Sequence, residues 1–393
     1  MKQIICVPNE TTETEYRVAI TPKTVSQLTQ LGFQVCVQKN AGAKALFEDT
    51  AYKESGAEII ANAEELYKKA EIVLALNPPG KIKGSPRNHM YFLKKGSVWI
   101  CAGIPDEEII NACEKAEIKV FSLVKLPRIS RAQRMDVLSS QSNIAGYKAV
   151  IMAAHHSHKL FPLMMTAAGT ISPARVIILG AGVAGLQAIA TAKRLGAIVE
   201  ASDVRPEVKE QIESLGGKFI EVESTENASD SQGYAKEVSQ DYLKKQAAEV
   251  RKRLAYADVV ITTALVGGKK APILISEDMV KEMKHGAVIV DMAAVQGGNC
   301  ACTIPGRIIT KHGVTIVGHT HITSTSAIDA SSMYSNNVSA FLQHITKEGE
   351  LNLDPDDPLC KDTLITQKLM PAKKDEPSVK TKTKSTKKVG ARK

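Results

Sequence analysis

One stretch constrains this chain more than any other: residues 176–205, VIILGAGVAGLQAIATAKRLGAIVEASDVR. Val176 to Leu179 is a short, β-branched apolar run, the pattern of a buried parallel strand. Gly180-Ala181-Gly182-Val183-Ala184-Gly185 follows as a G-x-G-x-x-G. Leu186, Ile189, Ala190 and Leu195 then recur at helical spacing. A second strand, Ala197 to Ser202, ends at Asp203. Gly180 permits the tight strand-to-helix turn, Gly182 lets a pyrophosphate approach the backbone, and Gly185 lets helix and strand pack closely. The helix start offers free N–H groups and a positive dipole end to phosphates. Asp203 stands where an acid binds an adenine ribose 2′-OH and repels a 2′-phosphate. Strand, turn, helix, second strand and terminal acid together imply a dinucleotide site. A glycine-rich turn in some other α/β protein is the plainer alternative.

The rest of the chain gives this unit its context. The first 125 residues alternate short apolar runs (Ile4 to Val7, Gln34 to Gln38, Ile72 to Leu76, Val98 to Cys101, Val120 to Leu123) with helical segments such as Pro22 to Leu31 and Glu107 to Lys115. Thr21-Pro22 reads as a cap with proline at the first helical position. Alternation of this kind implies a parallel, doubly wound sheet. No glycine fingerprint follows any of these strands. Residues 126–142 are polar, and a long helical run is expected from Asn143 to about Leu160. Further strands are expected at Val259 to Thr262, Val288 to Asp291 and Val314 to Gly318, and a second long helix at Ser326 to Ile345. The expectation is an α/β protein of two Rossmann-like doubly wound parallel-sheet domains joined by long helices, with the nucleotide in the cleft. The domains would be 1–137 plus 327–370, and 138–326.

Charge excludes one function class. The chain carries +9, but residues 371–393 hold nine Lys or Arg and two acids, so +7 of the +9 lies in this low-complexity tail. The other 370 residues are left with +2 (9 − 7), which does not suit a nucleic-acid binder. The tail is expected to be disordered, as a solubilising end or an attachment to an anionic surface. No run of 18 apolar residues suggests a membrane span, and MKQIICVPNE reads as a first strand rather than a signal peptide. Seven cysteines without a CxxC pair fit buried thiols in a reducing cytoplasm. Cys300-Ala301-Cys302 reads as incidental. His155, His156 and His158 are adjacent on a helix, point in different directions and lack companion ligands, so no metal is expected.

Glu15-Tyr16-Arg17-Val18-Ala19-Ile20-Thr21-Pro22 and the glycine unit at 180–197 resemble the family shared by alanine dehydrogenase and nicotinamide nucleotide transhydrogenase. Arg131 to Gln141 (RAQRMDVLSSQ), Asn143 to Tyr147 (NIAGY) and 164–176 (MMTAAGTISPARV) look like its branch of NAD(H)-binding components of proton-translocating transhydrogenase. Alanine dehydrogenases carry a lysine-bearing K-V-K-E-P where Ala75 to Pro79 stand, a histidine within the segment matching 97–106, and an Asp where Val295 stands. All three groups are absent. Oxidising an amino acid needs a base and a carbonyl-polarising acid; hydride exchange between two nicotinamides needs neither. Val295 and Val266-Gly267-Gly268 also depart from the usual transhydrogenase pattern.

The resemblance implies a nicotinamide-positioning set of Arg128, Gln133, Asp136 and Ser139, with Tyr234 at the tip of a loop that closes over the nucleotide. In chemical terms, Arg128 and Ser139 can donate to a carboxamide, Asp136 can hold the guanidinium, and Gln133 offers a neutral donor and acceptor to a second nucleotide. A polar interdomain linker that caps a helix at Ser139 or Ser140 is the plainer reading. Gly180, Gly182, Gly185, Asp203, Val204 and Arg205 would hold the adenosine and phosphate end, with Val183, Gly233, Gln246 and Leu265 as secondary contacts. The resemblance further implies NAD(H) on this chain, NADP(H) on a partner subunit, membrane-embedded partner subunits, a homodimer, and a cytoplasmic location at the inner-membrane face. A free-standing amino-acid dehydrogenase and a non-catalytic NAD-binding module are the rival functions.

Overall fold

The computed structural model describes residues 2–10, 12–81, 88–222, 240–265, 270–347 and 349–370. Gly233, Tyr234, Val266-Gly267-Gly268 and the 371–393 tail lie outside the described residues.

Two parallel sheets carry the fold. The first comprises β1 (Ile4–Val7), β2 (Gln34–Gln38), β3 (Glu58–Ile60), β4 (Ile72–Leu74), β5 (Val98–Cys101) and β6 (Lys119–Ser122), ordered 3-2-1-4-5-6 and parallel throughout. Central strands such as β4 are apolar along their whole length because helices cover both faces. Thr21 precedes the Pro22–Gln30 helix as expected, but its hydroxyl pairs with the Thr24 hydroxyl rather than capping the helix.

An exposed hairpin, β7 (Met164–Thr166) and β8 (Gly169–Ile171), precedes the second sheet. That sheet comprises β9 (Arg175–Leu179), β10 (Ile198–Ser202), β11 (Lys218–Phe219), β12 (Val259–Thr262), β13 (Val288–Asp291), β14 (Ile308–Lys311) and β15 (Val314–Val317), ordered 11-10-9-12-13-15-14. Its first five strands repeat the arrangement of the first sheet. The wholly parallel expectation needs one correction: β14 is an antiparallel edge strand. The turn before β15 places His312 and Gly313 at φ 53 and 78, the left-handed geometry of a two-residue hairpin.

Two long helices, Val137–His156 and Ala327–His344, pack against each other between the sheets. The first begins at Val137, not Asn143. Its serines look like loop formers, but Asp136 satisfies the Ser139 N–H at 2.9 Å and so caps the helix ahead of them. At Gly146 this helix touches the start of the Val183–Arg194 helix, where an added Cβ would stand 2.2 Å from the Ala184 carbonyl oxygen. The helix ends at the histidines. Contrary to their expected divergence, the His155 and His156 rings meet edge to face with centroids 5.0 Å apart. Among the described residues no group of three or more His, Cys, Asp or Glu is arranged to hold a metal. All seven cysteines are free and buried.

Candidate functional site

The second sheet reverses direction between β9 and β12, and a cleft opens there, outside the carboxyl ends of the strands. The three glycines after β9 differ in what surrounds them. Gly180 has φ +100, and a Cβ on it would lie 2.6 Å from the Thr263 hydroxyl. A Cβ on Gly185 would stand 1.9 Å from the Gly180 carbonyl oxygen, so only glycine lets helix and turn close up. Gly182 is the opposite case: its φ is −73 and nothing stands within 4 Å of an added Cβ. That bare backbone faces the cleft at the start of the Val183–Arg194 helix, where unpaired N–H groups point outward. The turn can therefore take a diphosphate against its backbone.

Asp203 follows β10 and is buried. One carboxylate oxygen accepts from the Ala181 N–H at 2.7 Å and from Arg205 Nη2 at 3.1 Å. The other accepts from the Arg205 N–H at 2.9 Å and Arg205 Nε at 3.0 Å. Two donors on each oxygen use the whole acceptor capacity of the carboxylate. Asp203 thus braces the glycine turn, and a ribose hydroxyl must displace a guanidinium bond to reach it. The Asp203 hydrogen bond and charge hold the Arg205 pKa above its ordinary value against partial burial. Val204 and Arg205 line the cleft beside it. Gln246 donates to the Ser202 hydroxyl at 3.1 Å, and Val183 and Leu265 complete this wall.

The cleft holds about 1240 Å³, and its other wall comes from the first sheet and the crossing helix. Arg128 and Ser139 both lie on it. The Ser139 hydroxyl donates to Asp136 at 2.6 Å, and its N–H donates to the other Asp136 oxygen. This corrects the expected Asp136–Arg128 pairing: the carboxylate serves the open amino end of the helix instead. Gln133 and Asp136 line a second groove of about 730 Å³, and Ser139 lies on both. The proposed nicotinamide set therefore divides, Arg128 and Ser139 in the cleft and Gln133 and Asp136 next door.

Arg17 also lines the cleft, and the sequence alone does not single it out as a site residue. It grips Glu15 through Nε at 2.8 Å and Nη2 at 2.6 Å, while Nη1 reaches Gln141 at 2.8 Å. Burial alone would raise the Glu15 carboxyl; the Arg17 guanidinium outweighs it and holds the pKa below the ordinary value. Two opposite charges beside the apolar Val18-Ala19-Ile20 run were the available signal, since charges next to a core segment are paired when buried. His319, also on the cleft, has its pKa lowered by burial, with His321 and Lys148 adding to the effect.

Two doubly wound α/β units, a cleft between them and a glycine turn opening into it define a Rossmann-type nucleotide-binding protein. The chain belongs to the alanine dehydrogenase/PNT family: residues 6–145 match its N-terminal domain and 149–370 its C-terminal domain. It is 46% identical over 369 residues to an NAD(P) transhydrogenase subunit alpha chain of Rhodospirillum rubrum, covering 92% of this chain and 96% of that one. The crystal structure of transhydrogenase from Sinorhizobium meliloti superposes with a TM-score of 0.84 at 40% identity, covering 94% and 100% of the two chains. Alanine dehydrogenase of Bacillus subtilis is 31% identical over 299 residues, covering 75% and 71%. Likeness to the transhydrogenases is thus both stronger and longer.

Proposed function

We propose that this chain is the NAD(H)-binding component of a proton-translocating transhydrogenase, with direct hydride transfer between NAD(H) in its cleft and NADP(H) on a partner subunit. Bound NADH supplies the hydride. The protein's part is binding, orientation and exclusion of water. The Gly180–Gly185 turn takes the diphosphate, and Asp203 takes the adenine ribose after yielding an Arg205 bond. Arg128 and Ser139 hold the carboxamide, and Gln133 meets the second nucleotide from the adjoining groove. The observation that carries this reading is the shared wall at Ser139: one residue borders both the nucleotide cleft and a second groove.

The partners are membrane-embedded and NADP(H)-binding subunits, and the chain sits at the cytoplasmic face of the inner membrane through them. Among the described residues no helix is long and apolar enough to cross a membrane. A homodimer is supported by the β7–β8 hairpin, whose neighbour Leu163 and own Met165 are 57% and 74% exposed.

The rival is an alanine-type dehydrogenase. Against it, the Asn77 amide is held by Glu10 at 2.7 Å, and Val295 is an exposed apolar residue. His89 is buried, stacked 5.3 Å from Trp99 and pushed down to a pKa of about 4 by burial, which makes it a poor base near neutral pH. The test is to mix the purified chain with the NADP(H)-binding partner, NADH and an oxidised NADP analogue, and follow analogue reduction. Transfer that requires both proteins is expected. Robust turnover of alanine or pyruvate by the chain alone would favour the dehydrogenase. Binding of NADH without any transfer would leave a non-catalytic module.

A further inference from the structure

The 130–135 segment, which carries Gln133, is a 3-10 helix, not the α-helix or loop of an ordinary linker. Three residues per turn sort its side chains into three rows. Ala132 and Met135 form one row and are buried in the first core. Residues 131 and 134 form the second, and each is tied to a distant element. Arg131 Nη2 donates to Asp357 Oδ1 at 2.5 Å. The Arg134 carbonyl accepts from Asn337 Nδ2 at 2.8 Å. Gln133 and Asp136 form the third row and line the groove, with Arg134 of the second row at its border.

Both anchors are themselves secured. Asp357 caps the Pro358–Thr363 helix and also pairs with His344 at the end of the Ala327–His344 helix. Asn337 lies midway along that same helix, is buried, and accepts from the Ser140 hydroxyl at 2.6 Å. One tie precedes Gln133 and the other comes after it. Neither anchor lines the nucleotide cleft; Asn337 borders the groove that Gln133 faces, and Asp357 lines neither. A segment this short has little rigidity of its own, because 3-10 hydrogen bonds have poor geometry. Its aim must come from what grips it.

We propose that Asp357 and Asn337 are positioning residues for hydride transfer, acting through Gln133: they clamp residues 131 and 134 so that the Gln133 side chain points into the groove. The proposal rests on the function proposed above. It assigns a task to the Asp-Pro-Asp-Asp-Pro stretch at 354–358, which otherwise looks like a helix breaker.

The experiment measures three quantities for each variant: NADH dissociation constant, amide exchange across 128–142, and the rate of transfer to an NADP analogue on the partner subunit. Asp357→Ala and Asn337→Asp should each slow transfer about 10- to 100-fold, the range caused by misplacement of about an ångström. NADH affinity should change less than about twofold, and exchange should rise at 131–136 while the Gly180–Gly185 turn stays protected. Arg131→Gln, at an exposed side chain, repeats the test should Asp357→Ala fold poorly. The decisive arm is a double-mutant cycle: in a Gln133→Ala background, Arg131→Gln or Asp357→Ala should slow transfer no further, because both act through the same side chain. Additive losses in that cycle, or an equal loss of NADH affinity and rate, would overturn the clamp. If wild-type protein transfers no hydride, the function itself fails. If wild type transfers and Arg131→Gln matches it in rate and exchange, the function stands and the clamp falls.

Discussion

The molecule contains the same sheet arrangement twice and uses the two copies differently. In both, the chain turns outward after the first strand at the point where strand order reverses, between β1 and β4 in one sheet and β9 and β12 in the other. Both turns are braced alike. Gln38, ending β2, accepts from the Asn9 N–H at 2.8 Å; Asp203, just past β10, accepts from the Ala181 N–H at 2.7 Å. The residues beyond each brace differ. After β9 comes bare glycine backbone facing a cleft. After β1 comes Glu10, whose carboxylate accepts from the Leu76 N–H at 2.6 Å and the Asn77 amide at 2.7 Å. Glu10 ties off the mouth of its own sheet. One arrangement thus leaves an open, cleft-facing turn where the turn residues have no side chains, and a structural plug where they do.

The largest effect should come from closing the second turn. Gly185→Ala forces a Cβ to 1.9 Å from the Gly180 oxygen and should cost about 3 kcal/mol, seen as a lower midpoint in chemical denaturation, with nucleotide binding lost alongside. A variant as stable as wild type would show that the turn tolerates a side chain. Gly182→Ala separates binding from folding. Its Cβ meets nothing, so the midpoint should hold while NADH affinity falls about tenfold or more, because the backbone can no longer approach a phosphate; unchanged affinity would remove the turn from the site.

The plug makes a pH prediction. Burial pushes Glu10 up to a pKa of about 7, against lowering by its Leu76 and Asn77 bonds. Its folded pKa lies above its unfolded value, so the folded state binds the proton more tightly. The stabilisation is fully present below the ordinary carboxylate pKa and is lost as pH rises through about 7. Melting temperature should therefore fall between about pH 5 and 7.5 in wild type (a working range spanning the two pKa values), and Glu10→Gln should flatten that slope. An identical slope in the variant would contradict the assignment. The two braces should give the smallest and most selective difference. Gln38→Ala should cost about 1 kcal/mol of stability and leave nucleotide binding alone. Asp203→Ala removes four bonds and the Arg205 pairing rather than one bond, so it should cost more, about 2 kcal/mol, and also relax preference for NAD over NADP, measured as a ratio of dissociation constants.

This contrast explains how much of the molecule is legible in the chain itself. The glycine unit is legible because two of its glycines answer a local demand, a left-handed φ at Gly180 and a close approach at Gly185. The second wall of the cleft is not. Arg17 and Gln141 meet across 124 positions of sequence, and only packing of the crossing helix brings them together. The helix start at Val137 is hidden by serines that read as loop until Asp136 caps them. The edge strand Ile308–Lys311 shows only a weak alternation, and its pairing depends on the His312-Gly313 turn. Asp203 is recognisable as an acid in the right place, but its saturation by Ala181 and Arg205 is a property of the folded turn.

Calorimetric titration of NADH into the chain tests the central comparison most directly. One nucleotide per chain is expected, with binding strongly weakened by Gly182→Ala and unaffected by Gln38→Ala. Two nucleotides per chain, or one whose affinity responds to Gln38 and not to Gly182, would contradict it.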